Sequence, residues 1–464
     1  MAGKQVLVRD LYGLQVGVEI LQGSFNYEFL HCNTNSKTIK KGETFFAIGK
    51  GNDFIRDALE KGATGCVVEK DVYYDILEAY PEATIIKVED ALKTLQNLAA
   101  YKRALYHIPV VAITGSVGKT STKDIVAKVM SKKYNVLKTE GNFNNHIGLP
   151  ITIMKLQEHD AMVLEMGMNH LHEIEVLTDI ARPNIAIITN VGTSHIGILG
   201  SRENILKAKL EIIQGLQETG TLIINNDCDL LKEWQEKENK SKLFDVLTYS
   251  INQNSDLKAE NIEMTEKETK FEVLYKEENM KVILSYFGEP FIYNSLAAIG
   301  VASVLRIKPE DVVEALKEIQ LTKKRMEVEE IEGVKYINDA YNASFESMKY
   351  ALKYLTSIEG KRKIAVLGDM FELGEYTEEY HKKVGEEVEK SNVDILITAG
   401  EYSKKISEEA KSVKEKIHLK DKEEVVEKLK EIQQEGDTIL LKASNGMKFF
   451  EIVEDLKKIL NNIF

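Results

Sequence analysis

The stretch Val110-Val-Ala-Ile-Thr-Gly-Ser-Val-Gly-Lys-Thr-Ser121 decides the fold: an apolar run of strand type enters a glycine-rich turn, and Lys119-Thr120 opens a helix. Such a turn cradles phosphate. Glycines let backbone N–H groups close around phosphate oxygens, the helix N-terminus adds partial positive charge, Lys119 reaches the outer phosphates, and the Thr120 hydroxyl is a ligand for Mg2+. Gly115, Ser116, Val117, Gly118, Lys119, Thr120 and Ser121 are therefore the expected contacts to a nucleoside triphosphate. The loop is a shortened form: the general pattern has a glycine where this chain has Ile113, and Gly115 stands closer to Gly118 instead.

Outward from the loop, Ile125, Val126, Val129 and Met130 fall on one helical face, as a crossover helix on a sheet requires. Val110 to Thr114, Ala161 to Glu165, Ile185 to Asn190 and Thr221 to Asn225 are apolar runs bounded by turn signals and read as buried parallel strands. The charged, alternating stretch Asp256 to Leu284 reads as a peripheral antiparallel excursion. Upstream, strand-like runs at Thr44 to Ile48, Cys66 to Val68 and Thr84 to Val88 alternate with helical patterns at Phe54 to Lys61 and Ala91 to Tyr106. Downstream the pattern restarts near Lys323 to Arg325, with strands at Val334 to Ile337, Ile364 to Leu367, Ile395 to Thr398 and Thr438 to Leu441. The Lys/Glu-rich stretch Ser407 to Glu435 reads as the solvated faces of helices.

The expected fold class is α/β in three domains. Residues 1–108 form a small N-terminal α/β domain, 109–322 a central phosphate-loop domain with a mainly parallel sheet, and 323–464 a C-terminal Rossmann-like domain. A chain of 464 residues is too long for one core. Its 61 basic against 74 acidic residues give a net charge of −13, so no global field draws nucleic acid or an anionic membrane, and anionic ligands must be held by local donors. Cys32, Cys66 and Cys228 are few and far apart, as in a reducing cytoplasm. Neither a signal peptide nor an apolar run of about 18 residues is present, so a cytoplasmic protein without membrane insertion is expected.

Three further residues are candidates for chemistry. Glu165 closes a strand on the edge that faces the phosphate loop, where a carboxylate is suited to Mg2+; an isolated strand-end Glu is as readily solvated, and the loop upstream tips the reading. His195, in Thr189-Asn-Val-Gly-Thr-Ser-His195, lies after another strand at that edge, though a lone His is more often a surface or capping residue. Lys209, in Leu206-Lys-Ala-Lys-Leu210, reads by itself as a helical surface lysine.

Taken together, Thr114-Gly-Ser-Val-Gly-Lys-Thr120, Thr139-Glu-Gly-Asn-Phe-Asn-Asn-His-Ile-Gly-Leu-Pro150, Leu164-Glu-Met-Gly-Met-Asn169, the segment ending at His195, and Ala208-Lys209 resemble the central domain of the Mur ligases. Asp339-Ala-Tyr-Asn-Ala343 and Val366-Leu-Gly-Asp-Met-Phe-Glu-Leu-Gly-Glu375 resemble the D-alanyl-D-alanine-adding branch of that family. The resemblance implies an ATP-dependent amide ligase of peptidoglycan precursor synthesis, acting as a monomer on UDP-MurNAc-tripeptide and D-Ala-D-Ala. It implies two Mg2+ ions held by Thr120, Glu165, His195 and a carbamylated Lys209, with Lys119, Glu165, His195 and Lys209 as the catalytic set. Asn294 matches the adenine contact, Arg325 and Asp339 match groups on phosphate and ribose, and Asn144, Asn145 and Asn342 match substrate contacts. Thr34-Asn-Ser-Lys37, with Ser36 as the substrate contact, resembles the uridine segment, although the family has Asp-Ser-Arg there. Sister Mur ligases and folate polyglutamylating ligases share the central motifs, and a phosphate-loop ATPase switch would share the loop alone.

Overall fold

The computed structural model describes residues 3–237, 243–266, 268–275, 278–319 and 325–461. Three sheets follow one another along the chain. The first is built from β1 (Glu19–Gln22), β2 (Cys32–Asn33), β3 (Thr44–Phe46), β4 (Gly65–Val68) and β5 (Thr84–Lys87) in the order β1-β5-β4-β3-β2, with β1 antiparallel to β5. The central sheet contains β6 (Val110–Thr114), β7 (Val136–Lys138), β8 (Ala161–Glu165), β9 (Ile185–Ile188), β10 (Thr221–Asn225), β11 (Asp245–Ser250), β12 (Leu257–Met264), β13 (Thr269–Tyr275) and β14 (Glu278–Leu284). Its order is β14-β13-β12-β11-β10-β9-β6-β8-β7. The third sheet holds β15 (Glu327–Ile331), β16 (Val334–Asn338), β17 (Arg362–Gly368), β18 (Ile395–Ala399), β19 (Glu415–Leu419) and β20 (Asp437–Lys442), ordered β15-β16-β20-β17-β18-β19. The sequence-predicted boundary at 322/323 lies outside the described residues.

In the central sheet the chain runs from β6 to the edge at β7, returns to β8, then crosses to the other side of β6 at β9. Strand order reverses beside β6, and the crevice at the C-terminal ends of such strands is where an open α/β sheet binds ligands. Every residue of β6, β8, β9 and β10 is buried, which explains their unbroken apolar runs. On the loop helix Lys119–Met130, Ile125, Val126, Val129 and Met130 are buried, as the periodicity requires.

Two expectations change. The strands β12 to β14 are antiparallel as their alternation predicts, yet they continue the central sheet, because β12 pairs in parallel with β11. Their inward residues Phe271, Val273, Tyr275, Val282 and Leu284 lie in one core with the helix Glu289–Leu305. Within Ser407 to Glu435, β19 is a strand and not a helix face. It is an edge strand with Glu415, Lys416 and His418 exposed, so it lacks the unbroken apolar run of the buried strands.

The seam between the first and central sheets is sealed by two buried cations. Lys102 and Arg103, from the helix Ala91–Leu105, are 1% and 5% exposed. Lys102 Nζ donates to the Met154 carbonyl at 2.9 Å, while Arg103 donates to the carbonyls of Ala181 at 2.7 Å and Arg182 at 3.0 Å. Those carbonyls end the helices Gly148–Met154 and Glu173–Ala181, so each cation meets the negative end of a helix and satisfies acceptors left bare there.

Candidate active site at the phosphate loop

The loop leaves β6 at Thr114 and is clamped by the segment after β9. Thr189 Oγ1 donates to the Val117 carbonyl at 2.7 Å, Asn190 Nδ2 donates to the same carbonyl at 3.0 Å, and Asn190 Oδ1 accepts from the Val117 N–H at 3.0 Å. Gly192 N–H donates to Ser116 Oγ at 2.8 Å. Gly115 has φ +153°, and a Cβ there would stand 1.9 Å from Thr189 Oγ1, so the clamp closes only on glycine.

Lys119 Nζ folds back onto the Gly115 carbonyl at 2.6 Å. Burial pushes its pKa below the ordinary lysine value; Glu165 pulls it up and Arg325 pushes it further down. Glu165, 2% exposed, accepts from Asn144 Nδ2 on Oε1 at 2.8 Å, while its Oε2 is buried with no hydrogen-bond partner among the described residues. A carboxylate oxygen left this way calls for a cation. From the third domain, the Arg325 guanidinium lies 4.2 Å from the centre of the Tyr341 ring and Nη2 donates to Thr120 Oγ1 at 3.1 Å, with Nε buried and without a partner among the described residues. Asp339, after β16, pairs through Oδ2 with Lys442 Nζ at 2.6 Å and accepts the Met326 N–H on Oδ1 at 3.1 Å. Lys442 also donates to the Asn342 carbonyl at 3.0 Å.

Loop, strand ends and third domain enclose a cavity of about 630 Å³ lined by Ser116 to Ser121, Asn144, Asn145, Glu165, His195, Asn294, Arg325, Asp339 and Asn342. The sequence-predicted residues thus converge, with exceptions. Ser36 does not line the cavity: its carbonyl accepts from Lys61 Nζ at 3.2 Å and it bonds to Asp57. Lys209 is 1% exposed and also absent from the lining. Burial first, then the Lys119 ammonium, depress its pKa well below the ordinary lysine value, and the Cys228 thiol opposes them. Gly115 is also absent from the lining, whereas Asn145 lines the cavity and its Oδ1 accepts the Gly148 N–H at 2.8 Å. Among the described residues no three His, Cys, Asp or Glu side chains converge as a metal site. The unpartnered Glu165 oxygen has the chemistry of a single carboxylate ligand to Mg2+, an ion that takes its other ligands from phosphates and water.

His195 has φ +65° and its Nδ1 lies 2.7 Å from Glu372 Oε2 of the third domain, a close contact rather than an aligned hydrogen bond. The His195 ring holds the Glu372 carboxyl below its usual range. Gly197 N–H donates to the Glu372 carbonyl at 3.0 Å and Tyr376 Oη donates to the Gly200 carbonyl at 2.7 Å. A Cβ on Gly197 would lie 2.3 Å from the Gly374 nitrogen and 2.4 Å from the Leu373 carbonyl carbon, backbone atoms that cannot yield. Gly197→Ala is therefore expected to displace the third domain and lower kcat about 10²-fold, read by phosphate release; a wild-type rate would remove this contact from the active arrangement.

Some residues that line the cavity carry only a positional signal in the sequence. Asp227 follows β10 at the same sheet edge as Glu165, and it accepts from Tyr293 Oη at 2.9 Å and from the Ile251 and Gln253 N–H groups at 2.7 and 2.9 Å. The Tyr249 ring packs on that of Tyr293 with centroids 6.5 Å apart, giving the cavity an aromatic wall. Asn294 Oδ1 accepts from Thr122 Oγ1 at 3.0 Å and ties this wall to the loop helix.

A phosphate-loop domain whose cavity is completed by a following α/β domain defines a nucleotide-dependent enzyme of the Mur ligase class. Residues 113–302 match the Mur ligase middle domain and residues 324–445 the Mur ligase, glutamate ligase domain. The UDP-N-acetylmuramoyl-tripeptide–D-alanyl-D-alanine ligase of Bacillus subtilis (strain 168) is 39% identical over 424 residues, 90% of this chain and 89% of that one. Its Escherichia coli (strain K12) counterpart is 33% identical over 90% of each chain. Crystal structure I of MurF from Acinetobacter baumannii superposes with a TM-score of 0.87 at 26% identity, covering 99% of this chain and 100% of that one. MurF ligase from Thermotoga maritima in complex with ADP gives a TM-score of 0.81 at 29% identity, over 94% and 99%. The chain belongs to this family, the UDP-N-acetylmuramoyl-tripeptide–D-alanyl-D-alanine ligases.

Proposed function

We propose that the chain joins D-Ala-D-Ala to the tripeptide of UDP-MurNAc-tripeptide with conversion of ATP to ADP and phosphate, in cytoplasmic peptidoglycan precursor synthesis. The observation that carries the reading is the meeting of Lys119, the orphaned Oε2 of Glu165 and Arg325 in one cavity shared by two domains.

A carboxylate is a poor electrophile. Transfer of the γ-phosphoryl group to the tripeptide carboxylate gives an acyl phosphate; the dipeptide amine then attacks the acyl carbon, and phosphate leaves from a tetrahedral adduct. Lys119, released from the Gly115 carbonyl, and Arg325, released from Thr120, turn to phosphate oxygens and offset the charge that spreads over them. Placement of both substrates supplies much of the remaining acceleration. Thr120 and Glu165 would hold Mg2+, which would neutralise triphosphate charge; the unpartnered Glu165 oxygen fits that role. A second Mg2+ would be held by His195 with Lys209 in carbamylated form. A lysine amine and CO2 give a carbamate and a proton, and the depressed pKa of Lys209 favours the neutral amine this needs.

The division of labour we infer is UDP-sugar on residues 1–108, with Ser36 near the uridine and Asn144 and Asn145 at the turn toward the sugar; ATP on 109–322, with Asn294 at the adenine; and closure with dipeptide docking on 323–464, where Asp339 meets the ribose and Asn342 the substrate. Both domains that line the cavity belong to the same chain, so a monomer suffices for the reaction proposed. No helix among the described residues is long and apolar enough to cross a membrane. The test is phosphate release with UDP-MurNAc-tripeptide, with and without D-Ala-D-Ala. Release that requires both substrates is expected; equal release without either would leave an ATPase.

A further inference from the structure

Seven carboxylates line the cavity, and all but two are matched by cations or by several N–H donors. Asp229 is paired by Arg202 at 2.6 Å, Glu289 by Lys353 at 2.6 Å and Asp339 by Lys442 at 2.6 Å. Asp227 is saturated by Tyr293 and backbone N–H groups, and Glu173 takes the Asn169 N–H at 2.7 Å and the His170 ring at 3.3 Å. Glu165 is the expected metal carboxylate. Glu346 remains: its Oε2 accepts one neutral bond, from Thr193 Oγ1 at 3.1 Å, and its Oε1 carries no donor among the described residues.

Glu346 stands in the first turn of the third-domain helix Phe345–Ser357, where the helix dipole favours an anion. Its carboxyl group lies against Gly192, whose N–H is bonded to Ser116 of the phosphate loop. A carboxylate this close to a phosphorylated substrate repels it unless a cation stands between them. The ligase reaction brings such a cation, because the acceptor dipeptide enters as an ammonium.

Resting on the ligase reading above, we propose that Glu346 is a catalytic residue that binds the α-ammonium of the incoming D-Ala-D-Ala and takes its first proton. The freed lone pair then forms the C–N bond to the acyl carbon. As the tetrahedral adduct collapses, the C–O bond to phosphate breaks with its electron pair on phosphate, which accepts the second nitrogen proton; Glu346 returns its proton to water. Thr193 holds the carboxylate in place, and the residue reaches the reacting carbon only when the third domain is docked.

The experiment separates the two half-reactions. Wild-type enzyme with UDP-MurNAc-tripeptide and γ-18O-labelled ATP, without dipeptide, is expected to scramble the β,γ-bridging oxygen; no scrambling would overturn the ligase reading and the proposal with it. Glu346→Gln is expected to keep the scrambling rate, to lose about 10²-fold in kcat/KM for D-Ala-D-Ala, and to lose the wild-type preference for D-Ala-D-Ala over D-lactoyl-D-alanine, its hydroxyl analogue, as competing ligand. Scrambling and ligation lost together would make Glu346 structural, and an unmoved preference would remove it from ammonium recognition. Thr193→Val, which keeps the charge but frees the carboxylate, is expected to weaken the same preference less; should Glu346→Gln fail to fold, an unmoved preference in Thr193→Val overturns the proposal.

Discussion

Lys119→Ala is expected to lower kcat for amide formation by about 10³-fold while the protein stays folded. Of the lysines and arginines that line the cavity, Arg202, Lys353 and Lys442 are committed to Asp229, Glu289 and Asp339. Lys119 and Arg325 are left without a carboxylate partner among the described residues, and they hold neutral oxygens instead, the Gly115 carbonyl and the Thr120 hydroxyl. Those bonds are weaker than charge-assisted bonds to a triphosphate, so both groups are poised to exchange partners. Removing Lys119 deletes the cation nearest the turn and leaves the Asn190 clamp untouched. Phosphate release gives the rate, and thermal melting with ATP gives the binding: the wild-type rise in Tm on adding ATP should shrink in the variant. A variant retaining a tenth of the wild-type rate would remove Lys119 from phosphoryl transfer.

Lys209→Met should separate stability from activity. The folded-state pKa of Lys209 lies well below the ordinary value, chiefly through burial. Between the folded and unfolded values, the unfolded chain binds more protons, so this residue makes stability rise with pH across that window; below the folded value its penalty is present in full. Methionine has no such penalty. In bicarbonate-free buffer the variant should therefore unfold at higher denaturant than wild type near pH 7, and the gap should narrow toward pH 10. If the amine takes up CO2, bicarbonate will move the wild-type midpoint and leave Lys209→Met unmoved, while kcat in the variant falls about 10²-fold. A variant destabilised equally at every pH would make Lys209 an ordinary packing residue.

The central domain was legible because its chemistry and its burial coincide. Val110 to Thr114 and Ala161 to Glu165 are buried on both faces, so their apolar runs mark the strands to the residue; Glu165 ends one, and Lys119 opens the helix that follows the other. Edge elements were not legible. β19 carries charge on its solvated side, and β15 in Glu327–Ile331 has no fully buried position, so neither shows the apolar run that marks a buried strand. Contacts between distant segments were equally silent. Nothing near Glu372 announces His195, and nothing near Lys442 announces Asp339, because the third sheet brings them together only after it folds. Lys209 is the sharpest case: a helical lysine that reads as solvated is among the most buried charged side chains here, and only the resemblance marked it.

The two cations in the seam, Lys102 and Arg103, fix the first sheet to the central one through the ends of two helices. Sliding that seam would strand both charges away from their acceptors, so it holds the distance from the first sheet to Lys119. With the sugar nucleotide anchored near Ser36, as proposed, this constancy acts as a calliper: a donor whose peptide is one residue too short leaves its carboxylate out of reach of the phosphate, whatever its chemistry.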